Sequence, residues 1–281
     1  MTARSDVFQW HALGSPPPQT LIDTRLALHW AAQIAADAGR TFNAPQDDDS
    51  HTNLEWSDAL SALVRPLESD GVRAGVGLRL ADATLLLTSP HESAAEYALD
   101  GRSLEDGYAW MEAQLTGLGF LRSSLHRTPH RPSEHPFSSG EPLRLDAAAA
   151  QELSHWYANA AGVIGRTAHA TPGASTVRCW PHHFDLATLI EAAPGHTVGV
   201  GMTPGDGSYP EPYWYVTPYP YPESPSLGPL EGGGHWHREG WFGAVLRGNT
   251  LVETATGEGQ HAHTDRFLAS AVAASRRLLE P

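Results

Sequence analysis

The sequence predicts an α+β protein made of two pseudo-symmetric helix–strand–strand–helix halves, packed as one body around an antiparallel or mixed sheet. Three observations predict it. The segment "HWAAQIAADAGRT" (His29 to Thr41) recurs as "HWYANAAGVIGRT" (His155 to Thr167), with His, Trp, two Ala and Gly-Arg-Thr at matching places. A second echo, "GVGLRLAD" (Gly75 to Asp82) against "GVGMTPGD" (Gly199 to Asp206), follows in the same order at nearly the same offset. Hydrophobic periodicity also alternates between helical and strand-like spacing within each copy. Repeats of this size bury a core by packing on each other, so residues 21–120 are expected to superpose on 147–281.

Taken in order, Leu21 to Ala38 and Ala147 to Ile164 carry apolar residues at helical spacing. Gly39 and Gly165 are expected to stop these helices. His29 and His155, each beside a tryptophan, are read as structural residues fixing their helices. The runs Thr52 to Val64 and Thr176 to Glu191 then read as strands, followed by Val72 to Thr88, Thr197 to Met202 and Tyr213 to Val216. The closing helices are Leu104 to Gly117, behind a capping-box-like Ser103-x-x-Asp106, and Asp265 to Leu279. These elements give a first half over residues 1–127, a Pro/Ser-rich linker over 128–145 and a second half over 146–281. The second half carries an aromatic-rich insertion at 207–241.

Composition narrows the function. The formal net charge is −14, and all 18 basic residues are arginine. The scatter of those arginines argues against nucleic acid or an anionic membrane as partner. The absence of lysine removes Schiff-base chemistry. No run approaches the roughly 18 apolar residues of a membrane span, and the N-terminus lacks a signal-peptide core, so a cytoplasmic protein is expected. Cys179 is the only cysteine and lies in a strand-like run, which suits a buried structural thiol.

The chemistry-bearing residues gather in the second half. On an extended strand, His183 and Asp185 of "PHHFDL" would face one way, and His182, Phe184 and Leu186 the other. Shifting the first half by about 130 lays Asn53 and Glu55 over His183 and Asp185, with His51 on the same face. His235 and His237 in "GGGHWHREG" would share one side of a strand, with Glu239 two residues on. His183, Asp185, His235 and His237 together could supply nitrogen and carboxylate ligands to a divalent metal (zinc, iron or manganese). Without a metal, His183, Asp185 and Glu239 could act as an acid–base set, because histidine titrates near neutrality. The proline-stiffened insertion is expected to wall the main cavity. Asp206, Tyr209, Glu211, Tyr213 and Trp214, with His51, Asn53 and Glu55, are the expected substrate-binding residues. Asp47-Asp48-Asp49 reads as a solvated acidic loop, and "GMTPGDG" lacks the lysine and spacing of a phosphate loop.

The block "VRCWPHHFDLATLI", with "GDGSYPEPYWY" and "GGGHWHREGW", resembles an uncharacterised bacterial family sharing W-P-H-H-F-D-L-A and G-D-G-S-Y-x-E-P-Y-W-Y segments. The resemblance implies a shared fold and no particular activity. Similar F-D-L-A segments without both histidines imply that His182 and His183 are not needed throughout the group.

Two function classes follow. One is an enzyme acting on a small molecule in the His/Asp and aromatic-lined cleft, with or without a divalent metal. The other is a protein that binds a small molecule without turnover. An aromatic loop that instead forms a homodimer interface is a third reading.

Overall fold

The strands of this chain form two antiparallel sheets, each faced with helices on one side only. The computed structural model describes residues 8–90, 94–122, 124–129, 132–223 and 226–280. The first half contains α1 (Ile22–Phe42), five strands and α2 (Leu104–Gly117). Its strands are β1 (Glu55–Ser57), β2 (Ala62–Ser69), β3 (Val72–Arg79), β4 (Thr84–Thr88) and β5 (Ala95–Ala98), paired in that order. The second half opens with α3 (Ala147–Ala170). It continues through β6 (Arg178–Trp180), β7 (Asp185–Ala193), β8 (His196–Thr203), β9 (Tyr213–Tyr219), β10 (His235–His237) and β11 (Gly243–Arg247). It closes with α4 (Gly248–Thr254) and α5 (Glu258–Leu278). Its sheet order is β10-β11-β9-β8-β7-β6.

Strand alternation decides which face is covered. Leu63, Leu67, Val76, Leu78, Leu85 and Leu87 point beneath α1 and α2, and all are buried. Leu186, Ile190, Val198, Val200, Met202, Trp214 and Val216 do the same beneath α3 and α5. Burying these side chains removes apolar surface from water at roughly 25 cal/mol per Å², which makes the inner faces the main stabilising feature. The opposite face of each sheet carries no helix among the described residues.

The two sheets touch where their short edge strands begin. Leu54 N donates to Cys179 O (3.0 Å), and Cys179 N donates to Leu54 O (2.7 Å). Cys179 is fully buried there, and burial pushes its thiol well above the ordinary range, as suits an inert core sulfur. The segment ahead of each long helix packs on the other half. His11 N, Leu13 N and Gly14 N donate to Asn159, Gln260 and Glu152, on helices of the second half. His126 N donates to Thr41 and Thr128 N to Asp37, while Ser133 O accepts from Trp30, all three partners lying on α1.

Several expectations change. Each run expected as one strand, Thr52 to Val64 and Thr176 to Glu191, is a hairpin: β1 turns into β2, and β6 into β7. Both turns end on a residue with positive φ, Ser61 (47°) and Phe184 (58°). Val72 to Thr88 is likewise two strands, β3 and β4, and with β5, β10 and β11 the halves have five and six strands rather than two each. Gly39 does not stop α1. A Cβ there would come within 2.7 Å of His51 O, so this glycine allows the helix to run close beside the backbone ahead of β1. Gly165 likewise lies inside α3. The shift that lays Asn53–Trp56 over His183–Leu186 also fails. The former leads into an edge strand, the latter into the second strand of its sheet. The Ser103 capping box is present: Ser103 Oγ accepts from Asp106 N (3.1 Å), and Asp106 Oδ2 accepts from Ser103 N (2.9 Å). No helix among the described residues is long and apolar enough to cross a membrane.

Candidate functional site

The candidate site is a cleft of 310 Å³ on the open face of the second sheet. It begins at the β6–β7 turn. Trp180 O accepts from His183 N (3.1 Å) and Phe184 N (2.7 Å), which closes the turn and places Phe184 in the left-handed region. Three side chains hold it from below. His29 Nε2 and Gln33 Nε2 donate to Pro181 O at 2.7 and 2.8 Å, and the Tyr157 hydroxyl donates to Phe184 O. Phe184 is buried against the His29 ring, 4.9 Å away and 7° from parallel. Burial pushes His29 down to about 4, so at neutral pH it is an uncharged donor. Neither His29 nor His155 borders this cleft; His155 accepts from Gln151 and stacks on His11. His29 instead holds the β6–β7 turn, and His155 meets the segment ahead of α1.

Asp185 follows the turn as the first residue of β7. It is 7% exposed, and its Oδ2 accepts a hydrogen bond from the Tyr215 hydroxyl. Oδ1 has no partner among the described residues. Tyr215 lies two strands away on β9, directly opposite Gly201 of β8. A Cβ on Gly201 would sit 2.4 Å from the Tyr215 ring, so the missing side chain is what lets the phenol lie flat across β8 towards Asp185. Burial raises the Asp185 carboxyl above its ordinary range, against the lowering effects of the Tyr215 hydrogen bond and of His183. Tyr215 is raised too, by burial first and then by Asp185.

The other wall comes from the β8–β9 loop and the residues after β10. Asp206 Oδ1 accepts from Ser208 N (2.7 Å) and Tyr209 N (3.1 Å), and its Oδ2 accepts from Tyr213 OH (2.7 Å). The Arg25 guanidinium of α1 donates to Gly205 O and so braces this loop from the first half. The Tyr213 and Trp241 rings stack with centroids 6.3 Å apart. Thr203, Thr217 and Tyr221 complete the lining.

His235 and His237 both reach one hydroxyl. Tyr209 OH lies 3.0 Å from His235 Nε2 and 2.9 Å from His237 Nδ1. Because His237 Nε2 donates to Glu239 O (2.7 Å), its Nδ1 is the acceptor when the ring is neutral, and the Tyr209 hydroxyl donates to it. Tyr209, His237 and Glu239 border a separate recess of 380 Å³.

The predicted metal set is therefore not assembled. β10, which carries His235 and His237, is four strand spacings from β7, which carries Asp185. At about 4.8 Å per spacing this is roughly 19 Å of sheet, too far for bonds of about 2.1 Å to one ion. No group of three or more His, Cys, Asp or Glu among the described residues could hold a metal ion. Of the expected acid–base set, His183 and Asp185 both line the cleft, whereas Glu239 borders the other recess. Among the expected binding residues, Asp206 and Tyr213 line the cleft and Tyr209 borders the recess. Trp214 is fully buried beneath the sheet, stacked on Trp10, because neighbours on a strand face opposite ways. Glu211 is buried in an ion pair with Arg247 (2.6 Å). His51, Asn53 and Glu55 lie in the first half, where His51 Nδ1 accepts from Gln46 N (3.2 Å) and Asn53 is wholly buried. Beside the acidic loop, Arg40 stands 3.9 Å from Asp49.

The largest cavity is not this cleft. A trough of 760 Å³ lies on the open face of the first sheet, lined by Leu60, Val64, Pro66, Gly75, Leu86 and Thr88 among others. Sequence reasoning missed Tyr215, Thr203, Thr217, Tyr221 and Trp241. For Tyr215 the signal was present: in Tyr213-Trp214-Tyr215, one buried tryptophan puts both tyrosines on the open side.

No protein-family model, curated protein or solved structure matches this chain.

Proposed function

We propose that this protein binds a small organic molecule in the second-sheet cleft. The observation carrying this reading is Asp185, a buried carboxyl that lines the cleft with one oxygen unpartnered. A buried polar atom without a partner costs about 1–3 kcal/mol, and a ligand that satisfied it would recover much of that cost. Aromatic walls with a few convergent polar groups are the usual build of such a site. Binding is favoured over turnover because, among the described residues, the side chain hydrogen-bonded to Asp185 is a phenol raised well above the working range, while His183 lines the cleft without a hydrogen bond to it. The test is ligand-observed NMR against a panel of small aromatic, sugar-like and charged compounds. Hits should weaken in Trp241→Leu and Tyr213→Leu. Hits that persist in both variants, or that respond only to Leu86→Ala in the first-sheet trough, would overturn the assignment.

We further infer that the two halves are duplicated units related by a pseudo-twofold axis near the Leu54–Cys179 contact. Support comes from register. Gly75 stands opposite Thr88, and Gly199 opposite Thr217, at matching places in β3–β4 and β8–β9. α1 packs on β2 and β3 as α3 packs on β7 and β8. A crystal structure in which 21–120 failed to superpose on 147–281 would remove this inference.

A further inference from the structure

We infer that the ligand class of the second-sheet cleft is an organic cation of substituted-ammonium type, held between aromatic rings and paired with Asp185. This rests on the reading of the cleft as a small-molecule site and adds the chemistry that would fill it.

Three features point the same way. Four rings line the cleft: Tyr213, Tyr215, Tyr221 and Trp241. Electron-rich faces attract a cation within about 6 Å, most strongly where water is excluded, and clusters of them are how proteins hold quaternary ammonium groups. Among the described lining residues the acids are Asp185 and Asp206, beside the imidazole of His183, and none is an arginine. The two carboxylates are not alike. Asp206 is saturated by Tyr213 OH and two backbone N–H groups, whereas Asp185 keeps Oδ1 unpartnered while being more than nine-tenths buried. An anionic ligand would meet two acids, with the His183 imidazole as the one basic side chain among the described lining residues. A neutral ligand could satisfy Oδ1 but would leave the acidity of the cleft without purpose.

The same arrangement predicts a proton linkage. Facing Asp185 are His183 from the turn, Asp206 from the β8–β9 loop, Tyr213 and Tyr215 from β9, Tyr157 from α3 and Cys179 from β6. None supplies a fixed positive charge, so burial leaves the free carboxyl inclined to keep its proton. A bound cation would supply the missing counter-charge. Asp185 would then release its proton to solvent as the complex forms, and affinity would rise with pH until the free carboxyl is ionised.

The experiment uses phenyltrimethylammonium and choline, with 3,3-dimethylbutan-1-ol as the uncharged counterpart of choline. Binding to the full chain is measured by calorimetry in two buffers of different ionisation heat and by NMR of the tryptophan indoles. Choline should bind at least tenfold more tightly than its neutral counterpart, and binding should release close to one proton at pH values where the free carboxyl is protonated. Asp185→Asn keeps an acceptor for Tyr215, so the fold should be retained while cation affinity falls about tenfold or more. Trp241→Leu, at a half-exposed position, should weaken phenyltrimethylammonium three- to tenfold, in keeping with one cation–π contact. If the neutral alcohol binds as tightly as choline, or if Asp185→Asn binds the cations unchanged, recognition of charge is wrong while the cleft reading stands. If neither cation perturbs the cleft, the inference fails. If the wider panel fails there as well, the cleft reading falls with it.

Discussion

The open faces of the two sheets share a backbone plan and differ in almost every side chain. On the first, the glycines of β3 lie between Pro66 and Val64 of β2 and Thr88 and Leu86 of β4. On the second, the glycines of β8 lie between Leu189 and Ala187 of β7 and Thr217 and Tyr215 of β9. Where the first face has Leu86, the second has Tyr215. Where the first turn leads into Ala62, the second leads into Asp185. The first face is consequently a wide apolar trough, and the second a smaller polar cleft walled by rings. The pair Tyr215 and Asp185, on the two strands that flank β8, thus stands where the first face has Leu86 and Ala62 on the strands that flank β3. The clamp differs as well. α1 of the first half reaches across to hold the second-half turn through His29 and Gln33. His155, by contrast, accepts from Gln151 of its own helix and stacks on His11.

The largest test of this comparison is the assignment of faces within Tyr213-Trp214-Tyr215. Trp214→Ala should destabilise the fold by about 3–5 kcal/mol, since a large aromatic is removed from a closed core. Tyr213→Leu should cost far less, because one side of that ring faces the cleft. Chemical denaturation measures both, and near-equal losses would mean the faces are misassigned.

The clamp gives the next effect, and its sign follows from His29. Burial holds this group at about 4, against an unfolded value of 6.5. The unfolded chain therefore takes up a proton that the folded chain refuses, and stability falls as pH drops from about 6.5 to 4. The full shift corresponds to about 3 kcal/mol. Asp37 works in the opposite direction. Burial raises it to about 6 from 3.8, so its folded form keeps a proton and gains stability over the same descent. The native protein shows the sum of these and of other shifted groups, Asp185, Glu152 and His235 among them. His29→Gln should strip out the acid-labile part, leaving a variant whose stability rises, relative to the native chain, as pH falls from 6.5 to 4. His155→Gln, on the less buried equivalent, should show a much smaller relative change. Equal pH profiles for the two variants would show that the clamp is not one-sided.

The smallest effect compares one glycine from each face. A Cβ at Gly201 would meet the Tyr215 ring at 2.4 Å, and that ring is held by Asp185 and buried, so Gly201→Ala should cost about 1–3 kcal/mol. At Gly75 the added carbon would meet Thr88 Oγ1 at 2.5 Å, an atom that can rotate away, so Gly75→Ala should cost less than about 1 kcal/mol. Coupling sharpens this: adding Tyr215→Ala should recover most of the Gly201→Ala penalty.

What the sequence by itself determined is local. Helical spacing located α1, α2, α3 and the final helix, and Ser103 with Asp106 marked one helix start. The pairing of polar and apolar neighbours around Asp185 gave it an outward face and Phe184 and Leu186 inward ones. The histidine pair at His235 and His237 also shares one side, as an extended His-x-His predicts. Those properties depend on residues a few positions apart. What only the tertiary structure decided depends on which strands lie side by side. Sequence distance could not reveal that "PHHF" is a turn, nor that Gly39 lies inside a helix because another backbone passes it at van der Waals range. The metal reading failed for the same reason. Four well-spaced ligand types became two separate groups once β11, β9 and β8 stood between them. Asp185 acquired its character last of all, from a tyrosine 30 positions away whose ring reaches it only because Gly201, on the strand between, has no side chain to block the way.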